Sequence, residues 1–194
     1  MSRENTETRT KILQATVETL EQEGGRGVRM GDIAKATGIS RQAVYLHFTS
    51  RAELLTAAFL FLGDQLDVEG RLAPSRSAAT GVERLERYIE FWGNYLPEIY
   101  GVAKALMMAQ DTDEAAATAW RDRMLAMRDG CRAAIDALYD DGMLASEWTR
   151  PKATDALFAL LQVPSWEYLT IECGWSNKEY IRRMTATAKR TFID

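Results

Sequence analysis

Apolar residues recur every three or four positions along most of the chain, the spacing that places side chains on one face of an α-helix. Strand-like alternation is scarce, so the pattern predicts an all-α fold. The first helix is expected to begin near residues 5–6 and to end before Gly24 and Gly25. Its apolar face consists of Ile12, Leu13, Val17 and Leu20.

Residues 30–55 contain two short apolar patterns separated by Gly38. The spacing predicts two helices joined by a tight glycine turn, the layout of a DNA-reading helix-turn-helix. Ser40 directly precedes the second helix, where its hydroxyl can accept a hydrogen bond from an unpaired backbone N–H. The apolar positions that face one another across the turn are Ile33, Ala34, Val44 and Phe48, with Ile39 also apolar; the outward positions are Ser40, Arg41, Gln42 and Tyr45.

Side-chain caps predict where two later helices begin. Ser50 with Glu53, and Ser176 with Glu179, have the spacing of capping boxes. Between these two helices, an apolar pattern of about five turns predicts a long helix that ends near Gly142.

Glycine and proline predict the remaining boundaries. Residues 70–77 are expected to form a loop, and Pro97 is expected to interrupt or end a helix. Pro151 fits the first turn of a later helix, in which Pro164 predicts a kink. Gly174 is expected to end that helix.

Basic residues are concentrated around the helix-turn-helix. The chain carries a formal net charge of −4, yet residues 26–51 hold five basic residues against one acid, which gives this segment +4 and leaves −8 for the rest. The asymmetry predicts a cationic surface at one end of the molecule and an anionic remainder that phosphate repels. The residues involved are Arg26, Arg29, Lys35, Arg41 and Arg51, with Asp32 as the acid.

An Ile-Ala pair, a Gly-Ile-Ser turn, a Tyr-x-x-Phe spacing and a basic residue followed by leucines occur in this order. This combination resembles the TetR family of transcriptional regulators. The resemblance implies a three-helix DNA-binding domain at residues 1–49 and a larger helical ligand-binding and dimerisation domain at residues 50–194. It also implies a homodimeric repressor that a small ligand releases from a palindromic operator. The matching residues are Ile33, Ala34, Gly38, Ile39, Ser40, Tyr45, Phe48, Arg51 and Leu54.

Two side chains in the first turn of the second helix are suited to reading bases. Gln42 can form paired hydrogen bonds to adenine, and the methyl group of Ala43 can touch a thymine methyl. Donors suited to phosphate follow, and similar positions in TetR-type proteins hold the DNA backbone. An ordinary solvated helix face is the alternative for Arg41 and Gln42, and a packing role is the alternative for Tyr45. The phosphate candidates are Ser40, Arg41, Tyr45, His47, Thr49 and Arg51.

Arg29 departs from the family pattern, because a threonine or serine often caps the second helix at this place. A phosphate contact is still expected for Arg29, while Asp32 complements the helix N-terminus. His47 is the single histidine, and its alternative is a solvated or capping imidazole.

One reading helix offers few base contacts, so specificity requires two copies about 34–36 Å apart on a palindrome. The resemblance places the dimer contact on the last two helices, approximately Lys152–Cys173 and Asn177–Phe192. The alternative is that their apolar side chains fill the core of the protomer, which helical periodicity alone does not distinguish. The interface candidates are Leu157, Phe158, Leu161, Trp166, Tyr180 and Met184.

All five tryptophans and six of the eight methionines lie beyond residue 91. Rings and thioethers make adaptable apolar walls, which predicts a pocket for a small, largely apolar or aromatic effector. Ligand binding would then shift the fourth helix and weaken operator binding by ~1–3 kcal/mol. Ordinary core packing is the alternative for each residue. The candidates are Trp92, Tyr95, Met107, Trp120, Met124, Met127 and Phe158.

The sequence lacks the residue combinations that are typical of catalytic and cofactor-binding sites. A single histidine argues against histidine-rich zinc sites and Ser-His-Asp chemistry, and there is no C-x-x-C, G-x-G-x-x-G or Walker motif. Asp140 and Asp141 are interpreted as a solvated helix end. We therefore expect no enzymatic activity, no cofactor and no metal. A constitutive DNA-binding protein of the same fold, with no small-molecule sensing, is the alternative function.

The polar start of the chain predicts no signal peptide, and no run approaches the about 20 apolar residues that span a membrane. Cys131 and Cys173 lie within helical patterns. These features predict a soluble cytoplasmic protein with reduced thiols.

Overall fold

A computed structural model describes residues 3–25 and 28–193, with side chains from Asn5 onward, so Arg26 lies outside the described residues. This part of the chain forms ten α-helices and one π-helical turn, which confirms the all-α prediction. An isolated antiparallel bridge pairs Leu144 with Ile193. The helices are α1 (Arg3–Gln22), α2 (Met30–Thr37), α3 (Arg41–His47), α4 (Arg51–Gln65), α5 (Val68–Arg76), α6 (Gly81–Ala109), α7 (Glu114–Asp140), α8 (Arg150–Leu161), α9 (Val163–Glu167), the π-helix Tyr168–Glu172 and α10 (Asn177–Phe192).

The chain divides into two compact units. Unit 1 comprises Met1–Leu66 and Ile99–Asp122, and unit 2 comprises Asp67–Glu98 and Arg123–Asp194. Helices α6 and α7 therefore contribute residues to both units. These units do not follow the predicted functional boundary between residues 49 and 50, which stays a prediction.

Unit 1 packs α2 against both α1 and α3, and packs α1 against α4. Gly25 follows α1 with φ +75°, and a Cβ atom there would lie 2.7 Å from Cβ of Lys104. A glycine is needed at this position because both the backbone angle and the space exclude a side chain. Fully buried side chains of this unit include Ile12, Leu20, Ile33, Val44, Phe48, Leu54, Leu55 and Leu106.

Unit 2 packs α10 against α8 and against the π-helix. Tyr180, Met184 and Ala188, four residues apart, are buried as the pattern predicts. At the end of α10, Trp148 donates from Nε1 to the carbonyl of Thr191 at 2.6 Å.

The prediction of a loop at residues 70–77 is wrong, because these residues belong mostly to α5. The side chain of Asp67 caps α5 by accepting from the Gly70 amide at 3.2 Å, and Arg76 forms an ion pair with Glu69. Local side-chain bonds thus support a helix whose glycine and proline content is typical of a loop.

The prediction that Pro97 interrupts or ends a helix is also wrong, because α6 continues through it to Ala109. A proline removes one backbone hydrogen bond from a helix interior. Leu96, Ile99 and Val102 are buried on both sides of it. Burial of this continuous apolar face offsets the lost bond.

Pro164 separates two helices instead of kinking one. Gln162 is extended (φ −63°, ψ 154°), and Pro164 lies in the first turn of α9, where its missing N–H is not needed. After the π-helix, Gly174 adopts φ +72°, which agrees with its predicted role as a terminator.

None of the helices in the described ranges is both long enough and apolar enough to cross a lipid bilayer.

Candidate functional site

The helix-turn-helix forms as the sequence predicts. Gly38 ends α2 with φ 71°, a left-handed conformation that glycine adopts without strain. Ser40 caps α3, since its hydroxyl accepts a hydrogen bond from the Ala43 amide at 3.0 Å. With Val44 buried, the helix keeps one face against the core and leaves the other accessible.

The accessible face of α3 carries donors. Arg41, Gln42 and Tyr45 are exposed, and Ala43 is half-buried. The guanidinium group of Arg41 lies 5.6 Å from the centre of the Tyr45 ring and donates to its hydroxyl at 3.5 Å. The hydrogen bond and the charge interaction with Tyr45 raise the pKa of Arg41, so its positive charge is retained. Tyr45 therefore lies on the surface, 39% exposed, and not in the core.

The segment after α3 has its own hydrogen bonds. Ser50 accepts from the Glu53 amide at 3.1 Å, which is half of the predicted capping box. The Glu53 carboxylate instead accepts from the backbone and hydroxyl of Thr49, at 2.7 and 2.8 Å. The Thr49 hydroxyl would have to exchange this bond to donate to a phosphate, whereas Arg51, at the start of α4, is exposed.

Arg29 is exposed and forms no side-chain cap on α2, in agreement with its departure from the family pattern. The Arg29 carbonyl accepts hydrogen bonds from the Asp32 and Ile33 amides at 2.9 and 3.3 Å, at the start of α2. His47 is half-buried at the end of α3.

Sequence reasoning assigned no role to two residues of this region. Leu46 is 84% exposed on α3, and Arg9 of α1 places its guanidinium group 4.7 Å from the centre of the buried Phe48 ring. Leu46 could have been recognised because it lies four residues after Gln42, on the same helix face. Arg9 and Phe48 are far apart in the sequence, so the spacing of residues along the chain does not indicate their contact.

The predicted pocket residues do not belong to one unit. Met107 and Trp120 lie in unit 1, and the other five lie in unit 2. Tyr95, Trp120 and Met127 are buried, whereas Trp92, Met107, Met124 and Phe158 are half-buried.

In unit 2, four rings of α6 form an aromatic cluster made of Tyr88, Phe91, Trp92 and Tyr95. Neighbouring ring centres are 5.2 to 6.3 Å apart. Burial raises the pKa of Tyr95 to about 12 and raises the pKa of Tyr88 well above its usual value, so both phenols stay neutral.

Arg71 covers part of this aromatic cluster. Its guanidinium group lies 5.7 Å from the Tyr95 ring centre and 6.0 Å from the Phe91 ring centre, and it binds both carboxylate oxygens of Glu98 at 2.7 and 3.2 Å. Two buried donors of unit 2, Trp92 Nε1 and the Tyr180 hydroxyl, make no hydrogen bond of normal geometry among the described residues, although Trp92 interacts with the Tyr88 phenol.

Five of the six predicted dimer contacts are buried within the protomer, so the interface role of these helices stays a prediction. These five offer almost no area to a partner, since their apolar sides pack within the chain. Phe158 is half-buried and stays a candidate. In the same part of the chain, Tyr168 and Ile171 of the π-helix are 62% and 50% exposed. The buried five are Leu157, Leu161, Trp166, Tyr180 and Met184.

Residues 12–58 match the model of a family described as bacterial regulatory proteins, tetR family. The helix-turn-helix segment is therefore that of the TetR family. The match covers α2, α3 and parts of the supporting helices α1 and α4.

A helix-turn-helix regulator is similar to part of this chain. The HTH-type transcriptional regulator CymR of Pseudomonas putida is 31% identical over 112 residues, which are 56% of this chain and 54% of CymR. The chain thus spans about half the length of that relative.

Solved structures share the fold over nearly the whole chain. A protein from Saccharomonospora viridis in complex with choline has a TM-score of 0.81 at 20% identity, covering 97% of this chain and 99% of that one. NalD of Pseudomonas aeruginosa, the secondary repressor of the MexAB-OprM multidrug efflux pump, has a TM-score of 0.66 at 20% identity, covering 97% and 98%.

Metal chemistry finds no support in the described ranges. Within residues 3–25 and 28–193, no three His, Cys, Asp or Glu side chains are grouped so that they could hold a metal ion.

Proposed function

We propose that this protein is a sequence-specific DNA-binding transcriptional regulator of the TetR family that acts as a homodimeric repressor on a palindromic operator. The observation that carries the proposal is the accessible face of α3. Ser40 caps this helix and Val44 anchors it, while Arg41, Gln42 and Tyr45 are exposed beside one another. A short, anchored helix with exposed donors suits the major groove.

Within this proposal, Gln42 and Ala43 read bases. Arg29, Ser40, Arg41, Tyr45, His47, Thr49 and Arg51 are assigned to phosphate contacts that fix the register of the helix. Residues 1–49 would serve as the DNA-binding domain and residues 50–194 as the ligand-binding and dimerisation domain.

Dimerisation is assigned to the helices near the C-terminus, where Phe158, Tyr168 and Ile171 are among the accessible apolar side chains. Two reading helices held about 34–36 Å apart would match half-sites one DNA turn apart.

An effector is assigned to the aromatic cluster of α6 in unit 2. The rings favour a small, largely apolar or aromatic molecule. Two buried donors without a hydrogen bond of normal geometry, Trp92 Nε1 and the Tyr180 hydroxyl, favour a molecule that also presents an acceptor oxygen, since a poorly paired buried donor is costly. Because α6 and α7 each contribute to both units, a ligand-dependent shift of these helices would change DNA binding by the helix-turn-helix.

Selection of bound sites from random duplex DNA tests the regulator proposal. We expect enrichment of a palindrome with half-sites one helical turn apart, whereas no enrichment would reject sequence-specific binding.

Fluorescence tests the sensor against the constitutive alternative. Titration with a series of aromatic carboxylates and the matching hydrocarbons should quench tryptophan emission saturably in the wild type, and the same compound should release the operator. Trp92→Phe should lose most of the quenching, and the control Trp175→Phe should keep it. Unchanged emission and operator affinity across the series would favour the constitutive binder.

A further inference from the structure

The most exposed large apolar side chain of the described residues lies on α3, the proposed reading helix. Leu46 is 84% exposed, whereas the other exposed large apolar and aromatic side chains range from 37% to 62%. A leucine this accessible has an unfavourable contact with water that burial in a complex would remove.

The position of Leu46 on α3 defines what could cover it. Leu46 lies four residues after Gln42 and three after Ala43, so the three side chains lie on one side of the helix. Four residues correspond to an advance of about 6 Å along the helix axis. This distance is roughly two base-pair steps of B-DNA, which rise about 3.4 Å each.

The surroundings of Leu46 favour DNA over an apolar protein partner. Its neighbours on α3 are the cation Arg41 and the donors Gln42 and Tyr45, and Arg51 follows at the start of α4. An apolar side chain among cations and donors is the arrangement that a major groove accepts, where the thymine methyl is the apolar group that marks a base.

We propose that Leu46 is a specificity-determining residue that contacts a thymine C5-methyl group within about two base pairs of the base that Gln42 reads. This inference rests on the proposed function and adds a second apolar base contact to that of Ala43. It assigns the thymine preference at one position of each half-site to a leucine that is 84% exposed in the protomer.

The test combines a protein change with removal of a single methyl group from DNA. In the selected operator, each thymine of a half-site is replaced in turn by uracil, which keeps the base pair and removes only the methyl. Dissociation constants are measured for the wild type, Leu46→Ala and the control Leu60→Ala, which alters an exposed leucine of α4.

We expect one thymine whose replacement weakens the wild type and Leu60→Ala about fivefold, or about 1 kcal/mol, and leaves Leu46→Ala unaffected. A second thymine, assigned to Ala43, should respond equally in all three proteins. Leu46→Met should retain the response at the first thymine, because it keeps an apolar side chain of similar length.

Other outcomes would overturn the inference. These are a half-site without thymine in this range, replacements that never weaken the wild type, or replacements that weaken Leu46→Ala as much as the wild type. If selection yields no site at all, the proposed function itself fails, which is a different result from a specific site that is indifferent to Leu46. Circular dichroism and affinity for non-specific DNA verify that Leu46→Ala is folded.

Discussion

The guanidinium group of Arg9 lies 4.7 Å from the centre of the Phe48 ring. Arg9 belongs to the first helix, and Phe48 directly follows the reading helix and is fully buried. The contact therefore ties the supporting helix to the end of the helix that is proposed to enter DNA.

Arg9→Ala should lower the free energy of unfolding by about 0.5–1 kcal/mol, because it removes a cation–π contact and uncovers part of the ring. Denaturant unfolding measures the change. Arg9→Lys should retain most of the stability, and Lys11→Ala, an exposed change on the same helix, serves as the control. Equal stability of Arg9→Ala and Lys11→Ala would contradict the account.

Gln42→Ala and Arg51→Ala should have different effects on DNA binding. Gln42→Ala should cost about 1–3 kcal/mol at the base pair that Gln42 reads and relax the preference there. Arg51→Ala should weaken binding to all sequences and reduce the salt dependence by about one unit of slope. Titrations of matched and mismatched duplexes at two salt concentrations separate these effects. A uniform loss on all DNA for Gln42→Ala would refute base reading.

Ile171→Glu should weaken the dimer, because it places a charge on an accessible apolar position of the π-helix. Sedimentation equilibrium should detect a rise of at least tenfold in the dimer dissociation constant, equivalent to about 1.4 kcal/mol. Leu60→Glu, an equally polar change at an exposed leucine of α4, should leave association unchanged. If Ile171→Glu associates like the wild type, the dimer contact lies elsewhere.

Stability should fall in alkaline solution through Cys131. Burial raises the pKa of this thiol from 9.0 to about 12 in the folded chain. The folded state thus keeps a proton that the unfolded state loses above pH 9, so the stabilisation is complete below pH 9 and is lost as pH rises towards 12.

Between pH 9 and 10, the free energy of unfolding should decrease by up to about 1.4 kcal/mol per pH unit through this thiol. The buried tyrosines, whose pKa is also raised in the folded chain, add to the decrease in both wild type and Cys131→Ala, so the thiol is read from the difference between the two proteins. Guanidinium unfolding at pH 8, 9 and 10 measures the slope. Cys131→Ala should be less stable at pH 8 but flatter with pH. Parallel curves for the two proteins would exclude the thiol as the cause.

The helix-turn-helix formed by α2 and α3 could be predicted from sequence because its determinants are local. Gly38 sets the turn through its left-handed backbone conformation, and Ser40 starts α3 by accepting a hydrogen bond from the amide three residues later. The structure contains both features, as predicted. The exposure of Gln42 and the burial of Val44 follow from the same short helix.

The proline-containing helices could not be predicted from local signals. Composition indicates a loop at residues 70–77, yet Asp67 caps a helix there, and Pro97 lies inside a helix whose apolar face is buried on both sides. Whether a helix survives a proline depends on the area that its neighbours bury, which local sequence does not state.

Helical periodicity also failed to separate interface from core. Leu157 and Tyr180 are apolar at helical spacing, as an interface residue would be, yet both are fully buried in the protomer. The accessible candidates, Tyr168 and Ile171, lie in the π-helix, a rare element that apolar periodicity of 3.6 residues does not predict.

The affinity of the purified protein for its selected palindrome, compared with a scrambled duplex of the same length at physiological salt, tests the central claim most directly. The account predicts a dimer bound at least about 10³-fold more tightly to the palindrome, with most of that ratio lost in Gln42→Ala. Equal affinity for the two duplexes would contradict sequence-specific regulation by this chain.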